Sequence, residues 1–124
     1  MTDTKKRIII LGVDGEIGWG LSISLPDEGY DAKFGPSSIV PPFNELFDEL
    51  SAIKYDMVII SYWAFYPVLP ELRERFPEIK ILFLSSRDKK WEDEFVRLYG
   101  VTEIVSVPFD YEEFLIKVRK ILHV

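Results

Sequence analysis

The sequence predicts a three-layer α/β sandwich in which helices cover both faces of a parallel sheet. Apolar runs bounded by turn residues recur at residues 7–12, 30–34, 56–61, 80–85 and 103–107, the second of them weaker than the others. Runs dominated by Ile, Val and Leu are typical of strands buried on both faces, as in a parallel sheet. Between the runs, apolar residues recur three and four positions apart, as on helices buried on one side. This alternation predicts a doubly wound (βα)5 domain with right-handed crossovers.

Apolar spacing and end signals place five helices, over residues 17–25, 43–53, 67–76, 91–99 and 110–122. Pro26 is expected to end the first helix, because proline cannot continue a helix without losing a hydrogen bond. Pro70 is expected in the first turn of the third helix, where a missing N–H costs little. Gly100 is positioned to end the fourth helix. Asp110 is positioned to cap the fifth, with Glu113 as its capping-box partner.

Length and composition indicate one globular domain over residues 1–124. The chain has 48% apolar and 29% charged residues, which suits a protein with a buried core. Its formal net charge of −6 opposes a nucleic-acid partner, because affinity for phosphates rests on Lys and Arg. Cysteine is absent, which excludes disulfides and thiolate metal sites. The first apolar run stops at Asp14, too soon for a secretion signal or a membrane span, so we expect a soluble, cytoplasmic protein.

The favoured strand order for five such units is 2-1-3-4-5, the flavodoxin-like order. In an open parallel sheet, sites form beyond the carboxyl ends of the strands. The residues near those ends are predicted to share one rim: Asp14, Ser61, Ser85, Ser86 and Val107. A functional site is therefore expected on this rim.

Three segments of the sequence share the pattern of one family. Residues 100–110 read GVTEIVSVPFD and are followed by EEF at 112–114 and VR at 118–119; residues 29–31 read GYD, and 56–60 read DMVII. These segments resemble the receiver domain of two-component response regulators, which ends in a GA-x-x-Y-L-x-KPF strand and an EEL…VR helix. The resemblance covers nearly the whole chain and implies the receiver fold.

The resemblance also implies a site, which in the family transfers a phosphoryl group onto an Asp after the third strand. An acidic pair after the first strand holds Mg²⁺, a hydroxyl residue follows the fourth strand, and a Lys precedes a proline after the fifth. The matching residues here are Ser61 for the acceptor, Gly12 and Val13 for the acidic pair with Asp14 beside them, Ser85 for the hydroxyl, Val107 for the Lys, and Pro108 for the proline. Three of the four chemical roles are thus unfilled. We expect a pseudo-receiver that binds a protein partner, without catalysis, metal or cofactor.

A second interpretation comes from the glycines at 12, 15 and 18. Gly12, Gly15 and Gly18 form a G-x-x-G-x-x-G pattern between a strand and a helix, similar to the nucleotide fingerprint of extended short-chain dehydrogenases. Glu16 would bring negative charge to a pyrophosphate, and the acidic residue expected some twenty positions later is absent. A small NAD(P)- or ATP-binding protein remains the alternative, and a tight turn shaped by the glycines is the simpler explanation.

Aromatic residues suggest where a partner binds, since Trp and Tyr are enriched in interface hot spots. The predicted contacts are Trp63, Phe65, Trp91, Tyr99 and Tyr111. By family resemblance, a protein partner or a second copy is expected on the face of the fourth helix, fifth strand and fifth helix, residues 88–122. Arg73 is expected on a solvated face, and His123 is expected to be a frayed terminal residue.

Overall fold

Five parallel strands form one sheet in the computed structural model, which describes residues 5–11, 15–35, 44–61, 65–86, 94, 97–107 and 109–123. The strands are β1 (Arg7–Leu11), β2 (Asp31–Phe34), β3 (Met57–Ser61), β4 (Lys80–Ser86) and β5 (Glu103–Val107). Their order across the sheet is β2-β1-β3-β4-β5, and all neighbours are parallel. The predicted strand order is confirmed.

The central strands β1 and β3 pair through apolar residues, and two hydrogen bonds between Arg7 and Asp56 fix their register at one end. Ile8 lies opposite Met57, and Leu11 opposite Ile60. At the amino-terminal end, the Arg7 N–H donates to the Asp56 carboxylate (2.8 Å). The Asp56 N–H donates in return to the Arg7 carbonyl (2.8 Å). Asp56 therefore fixes where β3 begins relative to β1.

Four helices lie in the described part of the chain: α1 (Gly15–Asp27), α2 (Asn44–Ala52), α3 (Phe65–Arg75) and α4 (Tyr111–Leu122). The helix predicted over 91–99 falls mostly outside the described residues. Asp110 caps α4 as predicted, its side chain accepting from the Glu112 N–H (3.0 Å).

Two boundary predictions were wrong. Helix α1 continues one residue past Pro26, and α3 begins at Phe65, so that Pro70 is its sixth residue rather than part of its first turn.

Two apolar clusters cover the two faces of the sheet, because successive strand residues point to opposite sides. The first cluster joins Ile9, Val58, Ile60 and Phe83 to α2 and α3. The second cluster joins Ile8, Ile10, Met57, Ile59, Leu82 and Leu84 to α1 and α4. Helices thus cover both faces, as the sequence predicted. Among the described helices, none is both long and apolar enough to cross a membrane.

Arg73 contradicts the prediction of a solvated face. Its guanidinium donates to the carbonyls of Pro77 (2.7 Å), Ile79 (2.9 Å), Tyr99 (2.7 Å) and Gly100 (3.0 Å), with a longer contact to Phe76 (3.4 Å). Burial lowers the pKa of this guanidinium. The apolar spacing of α3 could not show this, because two of the acceptors lie more than twenty residues away.

Candidate functional site

Two buried serines mark the carboxyl-terminal rim of the sheet. Ser61 is the last residue of β3 and Ser85 the next-to-last of β4, and they are 2% and 1% exposed. Among the described residues, they are the two polar side chains enclosed in the core. Helices α1, α3 and α4 all begin beyond this rim, since each follows a strand. Ser61 and Ser85 therefore lie at the same edge of the sheet, and both carry neutral hydroxyls.

The strand pleat directs the two hydroxyls to opposite faces of the sheet. Ser61 pairs in register with Leu84 and follows Met57 and Ile59, which belong to the second cluster. Ser85 instead follows Ile81 and Phe83, on the first cluster's face. The two predicted site residues consequently do not converge on one face.

Ser85 is paired with a residue that the sequence reasoning missed. Its Oγ lies 3.3 Å from Ser106 Oγ on β5, and the two residues are directly opposite in register. The sequence did contain a signal for this pair, because a serine lies near the end of each of two adjacent strands. Once the register of the strands is known, the two serines can be recognised as cross-strand neighbours. The hydrogen bond holds the Ser85 hydroxyl against β5.

The two described rim serines, Ser61 and Ser85, are poorly suited to nucleophilic or metal chemistry. A serine needs a nearby base to become a nucleophile, and the chain's single histidine, His123, is hydrogen-bonded to Tyr30 instead. Within the described residues, no three His, Cys, Asp or Glu side chains come together as metal ligands. Ser61 offers a buried neutral oxygen where Mg²⁺ favours carboxylates. The described donors therefore do not fit a magnesium site; Gly12, Val13, Asp14 and Pro108 lie outside the described residues.

The sequence of this chain is similar to that of a known regulatory protein. The sequence is 27% identical to the transcriptional regulatory protein PcoR of Escherichia coli, over 94% of this chain and 51% of PcoR. The chain thus spans about half the length of that relative. No protein-family profile matches the sequence of this chain.

Solved structures align with nearly the whole chain. The non-phosphorylated HemR receiver domain from Leptospira biflexa superposes with a TM-score of 0.78 at 18% identity, covering 97% of this chain and 96% of that one. A response regulator from Thermotoga maritima superposes with a TM-score of 0.80 at 18% identity, covering 98% of this chain and 100% of that one. The fold is that of a response-regulator receiver domain. The predicted family resemblance is confirmed.

In this receiver-type domain, Gly18 has a packing role. A Cβ at Gly18 would collide with the ring of Phe34, the last residue of β2. Gly15 is the first residue of α1, and Gly12 lies outside the described residues. The absence of a side chain at position 18 thus lets α1 approach the Phe34 ring closely.

The predicted partner contacts are only partly described. Tyr99 is half-buried against the first cluster, and Tyr111 against the second. Phe65 is the first residue of α3. Trp63 and Trp91 lie outside the described residues. Neither described tyrosine is a freely exposed anchor.

The prediction that His123 is frayed was wrong. Its Nε2 lies 3.0 Å from the Tyr30 hydroxyl, with the ring centroids 5.8 Å apart. Nearby, Arg119 pairs with Glu28 (3.1 Å). Burial raises the pKa of Tyr30. The end of α4 is therefore fastened to the turn before β2.

An exposed apolar surface on α1 was also missed. Trp19 is 65% exposed and Ile23, one turn later, 47% exposed. No charged residue occurs between Ile17 and Pro26. That absence of charge was the available signal, because an exposed helix normally carries a polar face.

Proposed function

We propose that this receiver-type domain works without phosphorylation, as a pseudo-receiver that acts by binding another protein, and that it is not an enzyme. The proposal rests mainly on the character of the residue at position 61. A buried, neutral hydroxyl ends β3, at the position where the family resemblance expects the phosphoacceptor carboxylate. The similarity to PcoR, a transcriptional regulatory protein, supports a role in signalling inside the cell.

The charges that phosphoryl transfer requires are missing from the matching positions. Transfer needs a carboxylate nucleophile, a metal held by hard oxygen ligands and a cation beside the phosphoryl oxygens. The sequence has Gly12 and Val13 in place of the acidic pair, and Val107 at the end of β5 in place of the Lys. A valine side chain cannot donate to a phosphate. The scaffold is thus kept while its chemical groups are replaced.

Exposed apolar side chains support a protein-binding role. Leu98 is 80% exposed and Ile116, on α4, 59% exposed. Both belong to residues 88–122, the face proposed for a protein partner or a second copy. In the same range of residues, Lys117 and Lys120 both pair with Glu103, at 3.7 Å and 3.0 Å. Exposed apolar residues and polar or charged residues both contribute to protein interfaces, at the core and at the rim respectively.

Phosphorylation can be tested directly. The protein is incubated with acetyl phosphate and Mg²⁺, and its intact mass is measured, with a receiver domain that retains its acceptor Asp treated in parallel. We expect an adduct on the control and none on this protein. A stoichiometric phospho-adduct mapped to Ser61 or to Asp14 would overturn the proposal.

A further inference from the structure

The backbone of β2 has one side without a partner strand. β2 is the first strand in the order across the sheet and pairs with β1 alone. The N–H groups of Asp31 and Gly35 donate to the carbonyls of residues 6 and 10, both at 2.9 Å. Because alternate residues of a strand direct their backbone groups to opposite sides, those of Ala32 and Phe34 point away from β1. Among the described residues, none hydrogen-bonds to these outward groups.

The charges on β2 are arranged so that the strand can complement itself. Unpaired edge groups are a template for another strand, and charged side chains normally discourage such pairing. β2 carries Asp31 and Lys33, whose side chains are 59% and 54% exposed. They are two positions apart and so lie on the same face of the sheet. Their opposite signs mean that a second β2, running antiparallel, can place acid opposite base.

Hydrogen bonding and charge together select one antiparallel register between two copies of β2. Residues with outward backbone groups must lie opposite one another, so Ala32 can face the second copy's Ala32, Phe34 or Tyr30. When Ala32 faces Ala32, Asp31 lies opposite the second copy's Lys33, and by symmetry Lys33 lies opposite its Asp31. A shift of two residues either way sets Lys33 against Lys33, or Asp31 against Asp31. Like charges directly opposite are destabilising, so the first register is preferred.

Ion pairs within each chain extend this complementarity. Asp31 lies 3.8 Å from Arg7 on β1, and Lys33 lies 3.0 Å from Glu49 on α2. In the preferred register, a row of four charges crosses the joint: Arg7, Asp31, the second copy's Lys33 and its Glu49. The signs alternate along this row. Each added neighbour is therefore attractive.

Exposed apolar side chains lie near the same edge, on the opposite face of β2. Phe34 is 40% exposed, and its ring lies against Gly18 of α1. Trp19 and Ile23 are the exposed apolar residues of α1. Antiparallel pairing relates the two copies by a two-fold axis perpendicular to the sheet, so both α1 helices lie on one face, on either side of the joint. Apolar surface buried there would add to the main-chain bonds.

We propose that two copies of this chain associate by antiparallel pairing of their β2 edges, which joins the two sheets into one. This inference does not depend on the proposed function. β5 forms the opposite edge of the sheet, so residues 88–122 remain available to another protein. A strand of four residues makes a small interface, so we expect a dissociation constant of about 1 to 100 µM.

Self-association is measured by sedimentation velocity on the full chain, from about 5 to 500 µM. We expect a monomer–dimer equilibrium. Asp31→Lys and Lys33→Asp each place two pairs of like charges across the joint, and each should weaken self-association by about tenfold or more. Asp31→Lys also reduces the net negative charge of the chain. Stronger association of that variant would therefore contradict the register.

Mixing the two variants tests the register itself. In a mixed dimer, the introduced lysine of one chain faces the introduced aspartate of the other, and the native Lys33 faces the native Asp31. An equimolar mixture should therefore associate within about threefold of the native affinity, whereas each variant alone remains largely monomeric. Mixing leaves the contacts within each chain unchanged, so a recovery reports on the joint alone. Both variants should melt close to the native chain, because the altered ion pairs are exposed.

A variant at the other edge separates this joint from a different self-association. Ile116→Asp changes an exposed residue of α4 within residues 88–122 and should dimerise like the native chain. The proposal fails if the native chain stays monomeric over the whole concentration range, or if the mixed variants do not associate. It also fails if Ile116→Asp abolishes association while the β2 variants retain it.

Discussion

Arg73 Nε donates to the carbonyl of Tyr99 across a distance of 2.7 Å, and this bond joins the end of α3 to the segment that leads into β5. The same guanidinium reaches Gly100, whose φ of 70° turns the chain toward β5. It also binds carbonyls of the α3–β4 loop. A single side chain thus satisfies backbone acceptors from two loops at the amino-terminal edge of the sheet.

Arg73→Met should destabilise the fold by about 2 to 4 kcal/mol, because several partly buried carbonyls lose their donor while the apolar stem is kept. Urea unfolding measures the change. The matched control is Arg75→Met, which removes only an exposed pair with Glu71 and a contact over the Phe47 ring. The Arg75→Met control should lower the free energy of unfolding by less than about 1 kcal/mol. Equal losses in the two variants would contradict the assigned role of Arg73.

The hydrogen bond from Tyr55 to Glu49 should shape the pH dependence of stability. The Tyr55 hydroxyl donates to Glu49 Oε2 at 2.7 Å. Burial, followed by this bond, raises the pKa of Tyr55, and the bond lowers the pKa of Glu49. The unfolded chain therefore releases the tyrosine proton first on the alkaline side, and binds the glutamate proton first on the acidic side.

Stability from this pair is thus expected between the ordinary glutamate pKa, about 4.3, and the ordinary tyrosine pKa, about 10. It should be lost as the pH falls through the lowered pKa of Glu49, and as the pH rises above about 10. Tyr55→Phe should reduce both slopes of unfolding free energy against pH, measured by urea unfolding on the acidic and alkaline sides of this range. If the native and Tyr55→Phe curves stay parallel at both ends, the bond does not contribute as described.

Restoring an aspartate at position 61 should harm the protein instead of restoring a receiver. Ser61→Asp places a carboxylate at a site that is 2% exposed, at a cost of about 2 to 4 kcal/mol at neutral pH. The loss should shrink at low pH, where the acid is neutral. Ser61→Asn provides a neutral control of the same size and should lack this pH dependence. An undiminished stability of Ser61→Asp would mean that a cationic partner is close by.

The glycine pattern should not bind nucleotides. Gly18 lies close to the Phe34 ring, a packing contact that needs no nucleotide. Trp19, beside it on α1, reports on the loop by its fluorescence. Titration with NAD(P) and with ATP should give no saturable change at micromolar concentration. Saturable binding that is lost in Gly15→Val would revive the nucleotide interpretation.

Strand identity and order could be predicted from the sequence because they depend on local patterns. Continuous apolar runs can be buried only between two layers of helices, and short connections permit few topologies. Asp110 could likewise be recognised as a cap, since its partner is two residues away. The rim was located for the same reason, because strand ends follow from the strands themselves.

The partners of single polar groups were decided by tertiary structure alone. Arg73 bonds to Tyr99 twenty-six residues away, and Tyr30 to His123 ninety-three residues away. Charge and spacing cannot distinguish such residues from solvated ones, because the acceptors are backbone groups or a distant ring. Similarly, the opposite directions of Ser61 and Ser85 follow from the register of β3 and β4. Local pattern determines which elements form, whereas packing between distant segments determines which polar atoms meet.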